Sequence, residues 1–239
     1  MNRVLINNID HADLKVAIGV GASYGDSVNQ MLIFPSEFEE AQRHFPIVFR
    51  QSEDGMQALV LLGLDRDENL FLENDRWTSA YVPASQRRGP FSMAMTRPQS
   101  DGEAPGEPMI HVDLDDPRVG VEDGFPLFLQ HGGNAPYLDH IASVLGVIYD
   151  GLTGAPQVYA ALEEAGLLQP VTMNIQINEE KGYDLPDLFV IDQQALANLS
   201  GERLEALHRS GLLRAAIMAA ASLGNVARLI DLKNKRAGA

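Results

Sequence analysis

The sequence predicts an α+β fold in which a mainly antiparallel sheet is covered by helices gathered towards the C-terminus. Short runs rich in β-branched and aromatic residues, bounded by glycine and proline, fill the first 130 residues. From Pro136 the apolar spacing becomes helical, with Tyr137, Ile141, Val144, Leu145 and Ile148 on one face. The two kinds of signal do not alternate as βαβ units would, which disfavours a parallel sheet. At 239 residues the chain suits a single domain with a substantial core.

Taken in order, VLINNI and LKVAIGV read as short strands around the polar turn at Asp10–Asp13. GVGASYG resembles a dinucleotide loop only loosely, because its glycines are misplaced for that fingerprint and no helix follows at once. A glycine-kinked strand or hairpin is the simpler expectation. Met31–Phe34 is a strand, and Pro35 opens a helix with Ser36 and Glu39 at capping-box spacing. Pro46–Phe49, Gln57–Leu64 and Asn69–Asp75 are expected strands, and extended character resumes at Phe91–Thr96. Arg97–Pro108, rich in proline, glycine and charge, reads as a surface loop. Met109–Asp115 and Phe125–Leu129 return to extended character, and His131–Asn134 is a turn. Gly151 and Gly154 are expected to break the helix that starts at Pro136, leaving Ala155–Ala165 as a second one. Val171–Ile177 and Leu188–Asp192 pair across a turn at Glu179–Asp187. Ser200–Ser210 and Leu212–Lys233 are the last helices, and the alanines of the latter predict burial. The sheet should therefore draw on residues 1 to 130 and 171 to 192, with helices at 136 to 165 and 200 to 233 over it.

The net charge of −15 argues against nucleic acid and anionic membrane as partners, since both need a basic surface. The charge is uneven. From Arg203 onwards seven basic side chains face two acidic ones, a net +5 on an otherwise acidic body. Cations near a helix C-terminus explain this arm, and so does a patch for docking a partner. With no cysteine, disulfides, thiolate metal sites and cysteine nucleophiles are excluded. The first residues lack a signal-peptide pattern, and no window shows the ~18 uninterrupted apolar residues of a membrane span. A cytoplasmic protein without a membrane span is expected.

The densest block is ENLFLENDRWTSAYVPASQRRGPF, residues 68 to 91. It holds the only tryptophan, Trp77, with Phe71, Tyr81, Phe91, two prolines and the pair Arg87–Arg88. Rigid aromatic faces beside forked guanidinium donors suit a peptide or a glycan. Trp77, Tyr81, Arg87 and Arg88 are therefore the candidate ligand- or partner-binding residues. The alternative is a core tryptophan, with the arginines offsetting the acidic surface.

A second constellation is His111-Val-Asp113. Residues i and i+2 of a strand share a side, so imidazole and carboxylate can meet one metal. His131 is the best placed third ligand of a facial triad, ahead of His140 and His208. That reading makes the chain an Fe(II)/2-oxoglutarate-type oxygenase. The alternative is a plain turn at Asp113–Arg118. Asp113, Asp115 and Asp116 lack the glycine and terminal glutamate of an EF-hand. No G-x-S-x-G occurs, so serine catalysis has no motif.

With ENLF, W-x-x-x-Y-x-P-A and R-R-G-P-F, the chain resembles the SapC-like family, named after a protein encoded at a surface-layer export locus. NNIDHADLKV, FPSEF, FPIVF, HVDLDDPRVG, HGGNAPYL and SLGNVARLIDLKNKR extend the resemblance almost end to end. Phe45 departs from it, standing where a tyrosine is usual. The chain is most similar to the branch found beside flavin-dependent tryptophan-type halogenases, cupin-like oxygenases and TonB-dependent receptors. The resemblance implies an accessory role near surface uptake or modification of a peptide or glycan and no established activity, and a non-enzymatic accessory or binding protein is the leading expectation. No cofactor is expected, and the expected partners are a neighbouring halogenase or oxygenase, a peptide or glycan ligand, or a second copy of the chain. Family members are sometimes labelled peptide transport permeases, but a chain without a span cannot itself be a channel.

Overall fold

The computed structural model describes residues 2–95, 108–179 and 181–237, and it is α+β. The chain forms two compact units. One comprises Met1–Val20 and Ala84–Tyr149, the other Gly21–Pro83 and Asp150–Ala239.

The first unit is built on a three-stranded antiparallel sheet in the order Arg3–Leu5, Pro108–Asp113, Phe91–Met95. Arg3 lies opposite Asp113, and Phe91 opposite Val112. Lys15–Val16 pairs separately with Phe125–Pro126. Alternation along these strands sends Val16, Phe91, Val112 and Leu127 inwards, where they meet Leu138, Ile141 and Leu145 of the helix that begins at Pro136. The expected loop Arg97–Pro108 lies outside the described residues except for Pro108, which opens a strand.

The second unit carries a five-stranded antiparallel sheet in the order Leu168–Gln176, Gly182–Ile191, Ile47–Ser52, Gly55–Leu61, Gln30–Ile33. Phe34, Phe38, Phe45, Phe49 and Phe71 are buried beside it. The strands of residues 1 to 130 and 171 to 192 thus do not make one sheet. The late hairpin Leu168–Ile191 joins the strands between Gln30 and Leu61, whereas the first and the 91–113 strands belong to the other unit. That hairpin is longer than the spacing suggested: its second strand begins at Gly182, so residues 182 to 187 are strand and not part of the turn expected at Glu179–Asp187.

Three helical expectations change. Pro136–Glu164 is one helix of 29 residues, with Pro156 inside it. Gly151 does not break it, because a β-carbon there would lie 2.1 Å from the Phe34 ring. The glycine makes room for a buried phenylalanine. Helix entry after Phe34 is not capped by Ser36 and Glu39. Pro35–Glu37 is a 3₁₀ turn, and the buried Glu37 reaches back to the Phe34 N–H at 3.0 Å. The last helical stretch is two helices, Leu212–Ser222 and Val226–Ala237, joined through a 3₁₀ turn at Leu223–Asn225. It is buried along one face only. Ala216, Ala219, Ala220 and Ser222 are covered, while Ile217 is half exposed. By length and composition Leu212–Ala237 meets the requirement for crossing a membrane, with 28% of its most apolar window buried. Its buried side tethers it to the sheet: the Ser222 hydroxyl accepts the Ile47 N–H at 2.8 Å, and Asn225 donates to the carbonyls of Gln42 and Phe45.

Candidate functional site

Much of the 68 to 91 block is a loop held from both sides. Asn69–Asp75 is not a full strand. Only Leu72–Glu73 pairs, with Arg76–Trp77, across a turn in which Asn74 and Asp75 have positive φ. The Trp77 indole N–H donates to Asp26 Oδ1 at 2.9 Å. Asp26 is fully buried, and its second oxygen accepts the Gly21 N–H at 2.6 Å. Buried Asn69 donates to the Asp26 carbonyl at 2.9 Å. Gly21 has φ +140°, a backbone conformation that side-chain-bearing residues rarely adopt, and lies against the Asp75 carboxylate. Gly21 thus shapes part of the seat for the loop, and Ala22–Tyr24 after it is a 3₁₀ turn where a glycine-kinked strand or hairpin was expected. Phe45, wholly buried, packs edge-on to Phe71 and Trp77 at 4.8 and 6.4 Å between centroids.

The basic C-terminal helix closes this loop from the other side. Lys233 is buried and pairs with Asp65 and with Glu68, the latter at 2.6 Å. Burial alone would lower the Lys233 pKa, but the two carboxylates override it and hold the ammonium well above its usual range. The Lys233 hydrogen bond pulls Asp65 below the usual carboxylate range. Burial opposes the same shift in Glu68, yet Lys233 and the N–H groups of Leu64 and Asp65 prevail. Arg236 donates to the carbonyls of Asn69 and Leu72 at 2.7 and 2.6 Å. Arg228 lies 5.3 Å from the Phe71 ring centroid. Part of the basic arm is therefore spent on the protein's own acidic loop. Asp26 and Lys233 escape sequence reasoning because neither lies in a periodic pattern and their partners are far along the chain.

Between loop and helix lies an open cleft of about 550 Å³, lined among others by Ser27, Asp65, Arg66, Asp67, Asn74 and Arg236. Its lining is mostly carboxylate, amide and guanidinium. Asp67 and Asn74 stand exposed in left-handed backbone, which Asn and Asp tolerate better than other non-glycine residues. The carboxylates, amides and guanidinium groups of this wall are donors and acceptors that can hydrogen-bond the hydroxyls of a glycan or the amides of a peptide.

The four binding candidates divide. Trp77 and Tyr81 belong to the second unit, Arg87 and Arg88 to the first. Tyr81 donates to Glu37 Oε1 at 2.6 Å. The polar ends of both aromatics are thus engaged by buried carboxyls of their own unit. Arg87 is exposed at the end of the short helix Ala84–Arg87, which the sequence did not signal. Arg88 is partly buried, with Nε 3.3 Å from the Ser85 carbonyl and Nη1 2.9 Å from that of Phe91.

His111 and Asp113 do share one strand, but among the described residues no three His, Asp or Glu side chains converge as metal ligands. Asp113 Oδ1 accepts the N–H groups of Asn2 and Asp115 at 2.8 and 3.2 Å, the behaviour of a turn-forming side chain. His131 stands exposed in the glycine turn. Asp116 clasps Arg118 with two hydrogen bonds, at 2.8 and 2.7 Å. The oxygenase reading gains no support from this arrangement.

A chain of this architecture, with its most distinctive stretches tied to each other, matches the family model SapC over residues 6–229. The protein belongs to the SapC family. No curated protein and no solved structure matches it.

Proposed function

We propose that the protein is a non-enzymatic accessory or binding protein of a surface-associated uptake or modification system, and that the cleft between the Asp65–Asp75 loop and the C-terminal helix holds a peptide or glycan. One observation carries this reading. The two most distinctive stretches of the chain are ion-paired to one another and leave between them an open, polar cleft of about 550 Å³. Its size falls in the ~300–1,000 Å³ range of small-ligand sites. Its charges are pinned: Asp65 and Glu68 are held ionised by Lys233, which suits presenting fixed acceptors more than exchanging protons.

Screening the purified protein against oligosaccharide and peptide arrays tests this. The expected result is saturable capture that weakens roughly tenfold in Asp67→Asn, the loss of one charged contact. Asparagine keeps the left-handed backbone, so the fold should hold. Capture unaffected by Asp67→Asn and by Asn74→Gly would remove the cleft from the proposal.

A further inference from the structure

A second feature lies in the other unit and is independent of the cleft. Three arginines meet around the turn Arg88-Gly89-Pro90. Gly89 has φ +55°, and the position a β-carbon would take is 3.7 Å from Arg118 Nη1. Arg118 therefore lies directly over the turn. It is itself 6% exposed and fixed by Asp116. Arg3 reaches the same place through the sheet, because it lies opposite Asp113, whose N–H donates to the Pro90 carbonyl at 3.1 Å.

Arg88 is more buried than Arg3 and lacks the carboxylate that holds Arg118. Two of its five N–H donors go to the carbonyls of Ser85 and Phe91. Among the described residues neither Arg88 nor Arg3 has a carboxylate within ion-pair distance. The nearby acids are committed: Asp116 to Arg118, and Asp113 Oδ1 to the N–H groups of Asn2 and Asp115. Burial first, and then the charges of Arg3 and Arg118, push the Arg88 guanidinium below its ordinary pKa. A partly buried, under-paired guanidinium beside two more, on a protein of net charge −15, is destabilising unless an anion completes it.

We propose that Arg3, Arg88 and Arg118 form an oxyanion-binding site at the Arg88–Pro90 turn, taking the phosphate or carboxylate group of a ligand. Arg88 supplies the remaining forked donors, Arg3 a second, exposed cation, and Arg118 a wall whose orientation Asp116 sets. Forked guanidinium donors match both phosphate and carboxylate oxygens.

Thermal unfolding of the full chain tests the site, with phosphate or acetate replacing chloride at constant ionic strength. The expected result is a saturable rise in melting temperature with at least one of these anions. A response to phosphate alone assigns a phosphorylated ligand, and a response to acetate assigns a carboxylate. Arg88→Gln should raise the half-saturating concentration roughly tenfold, while Arg209→Gln, an exposed arginine paired with Glu205, should leave it unchanged. Should Arg88→Gln not fold, side-chain NMR of the wild type gives the same answer, since the Arg88 Nε–H signal must move with phosphate or acetate. No saturable rise over chloride, an unchanged midpoint in Arg88→Gln, or an unmoved Arg88 signal would each overturn the site. None of these outcomes bears on the cleft, which the array experiment tests separately.

Discussion

Asp26 and Trp77 form one unit of chemistry. A fully buried carboxyl survives because each oxygen has a donor, one from the Trp77 indole and one from the Gly21 backbone. Replacing Trp77 by phenylalanine keeps much of the ring packing but withdraws the indole N–H. An unmet buried acceptor costs about 1–3 kcal/mol. Trp77→Phe should therefore lower the unfolding free energy by that order and move the urea midpoint down, measured by circular dichroism because the only tryptophan is gone. A midpoint equal to wild type would mean that the Asp26 carboxyl finds another donor. The sequence made Trp77 conspicuous but could not say why. Aromatic and basic side chains read alike whether they face a ligand or an internal carboxyl, and the partners, Asp26 and Glu37, stand about 40–50 positions away in a chain where acids abound.

The helix Pro136–Glu164 shows how tertiary packing overrides a local signal. Glycine costs a helix ~1 kcal/mol relative to alanine, so Gly151 and Gly154 looked like breaks. The long helix accepts that cost at Gly151 because Phe34 lies where a side chain would be. Gly151→Ala should therefore destabilise, although alanine is the better helix former. Overpacking of this kind costs about 1–3 kcal/mol, and a melting temperature above wild type would show that the Phe34 ring can yield. Strand positions were legible where short apolar, β-branched runs marked them, as near Gln30–Ile33 and Ile47–Ser52, or where alternation was clear, as at Pro108–Asp113. Strand partnership was not legible. The hairpin Leu168–Ile191 meets the strand Ile47–Ser52 at the single register pair Phe189 and Phe49, a contact between residues 140 positions apart. Nothing local marks that pairing, nor the assignment of the first and the 91–113 strands to a different sheet.

At the scale of the molecule, the charge pattern predicts a bell-shaped dependence of stability on pH. Burial, with Arg228 and Arg43 acting against Glu40, holds the His44 imidazole below its ordinary 6.5. The unfolded chain then binds more protons as pH falls through 6.5, so stability falls on acidification below about neutral pH. His44→Gln should flatten this slope in chemical denaturation, and an unchanged slope would exclude His44 as its source. Asp65, Glu68 and Asp116 are held low, so their contribution is present above their ordinary values of 3.8, 4.5 and 3.8 and is lost below them. Lys233 is held high, so its contribution is present below 10.5 and disappears as pH rises through the raised value. The polarity of the chain was legible at this scale, acidic body and basic arm included. The use of that arm was not, because Lys233 and Arg236 meet the Asp65–Leu72 loop only after folding. Whether the protein holds its ligand or transforms it is best settled by titrating array-selected peptides and oligosaccharides into wild type and Asp67→Asn while assaying the recovered ligand by mass spectrometry. Holding predicts saturable heat, roughly tenfold weaker binding in Asp67→Asn and ligand recovered unchanged. Chemically altered ligand, produced by the wild type alone, would contradict it.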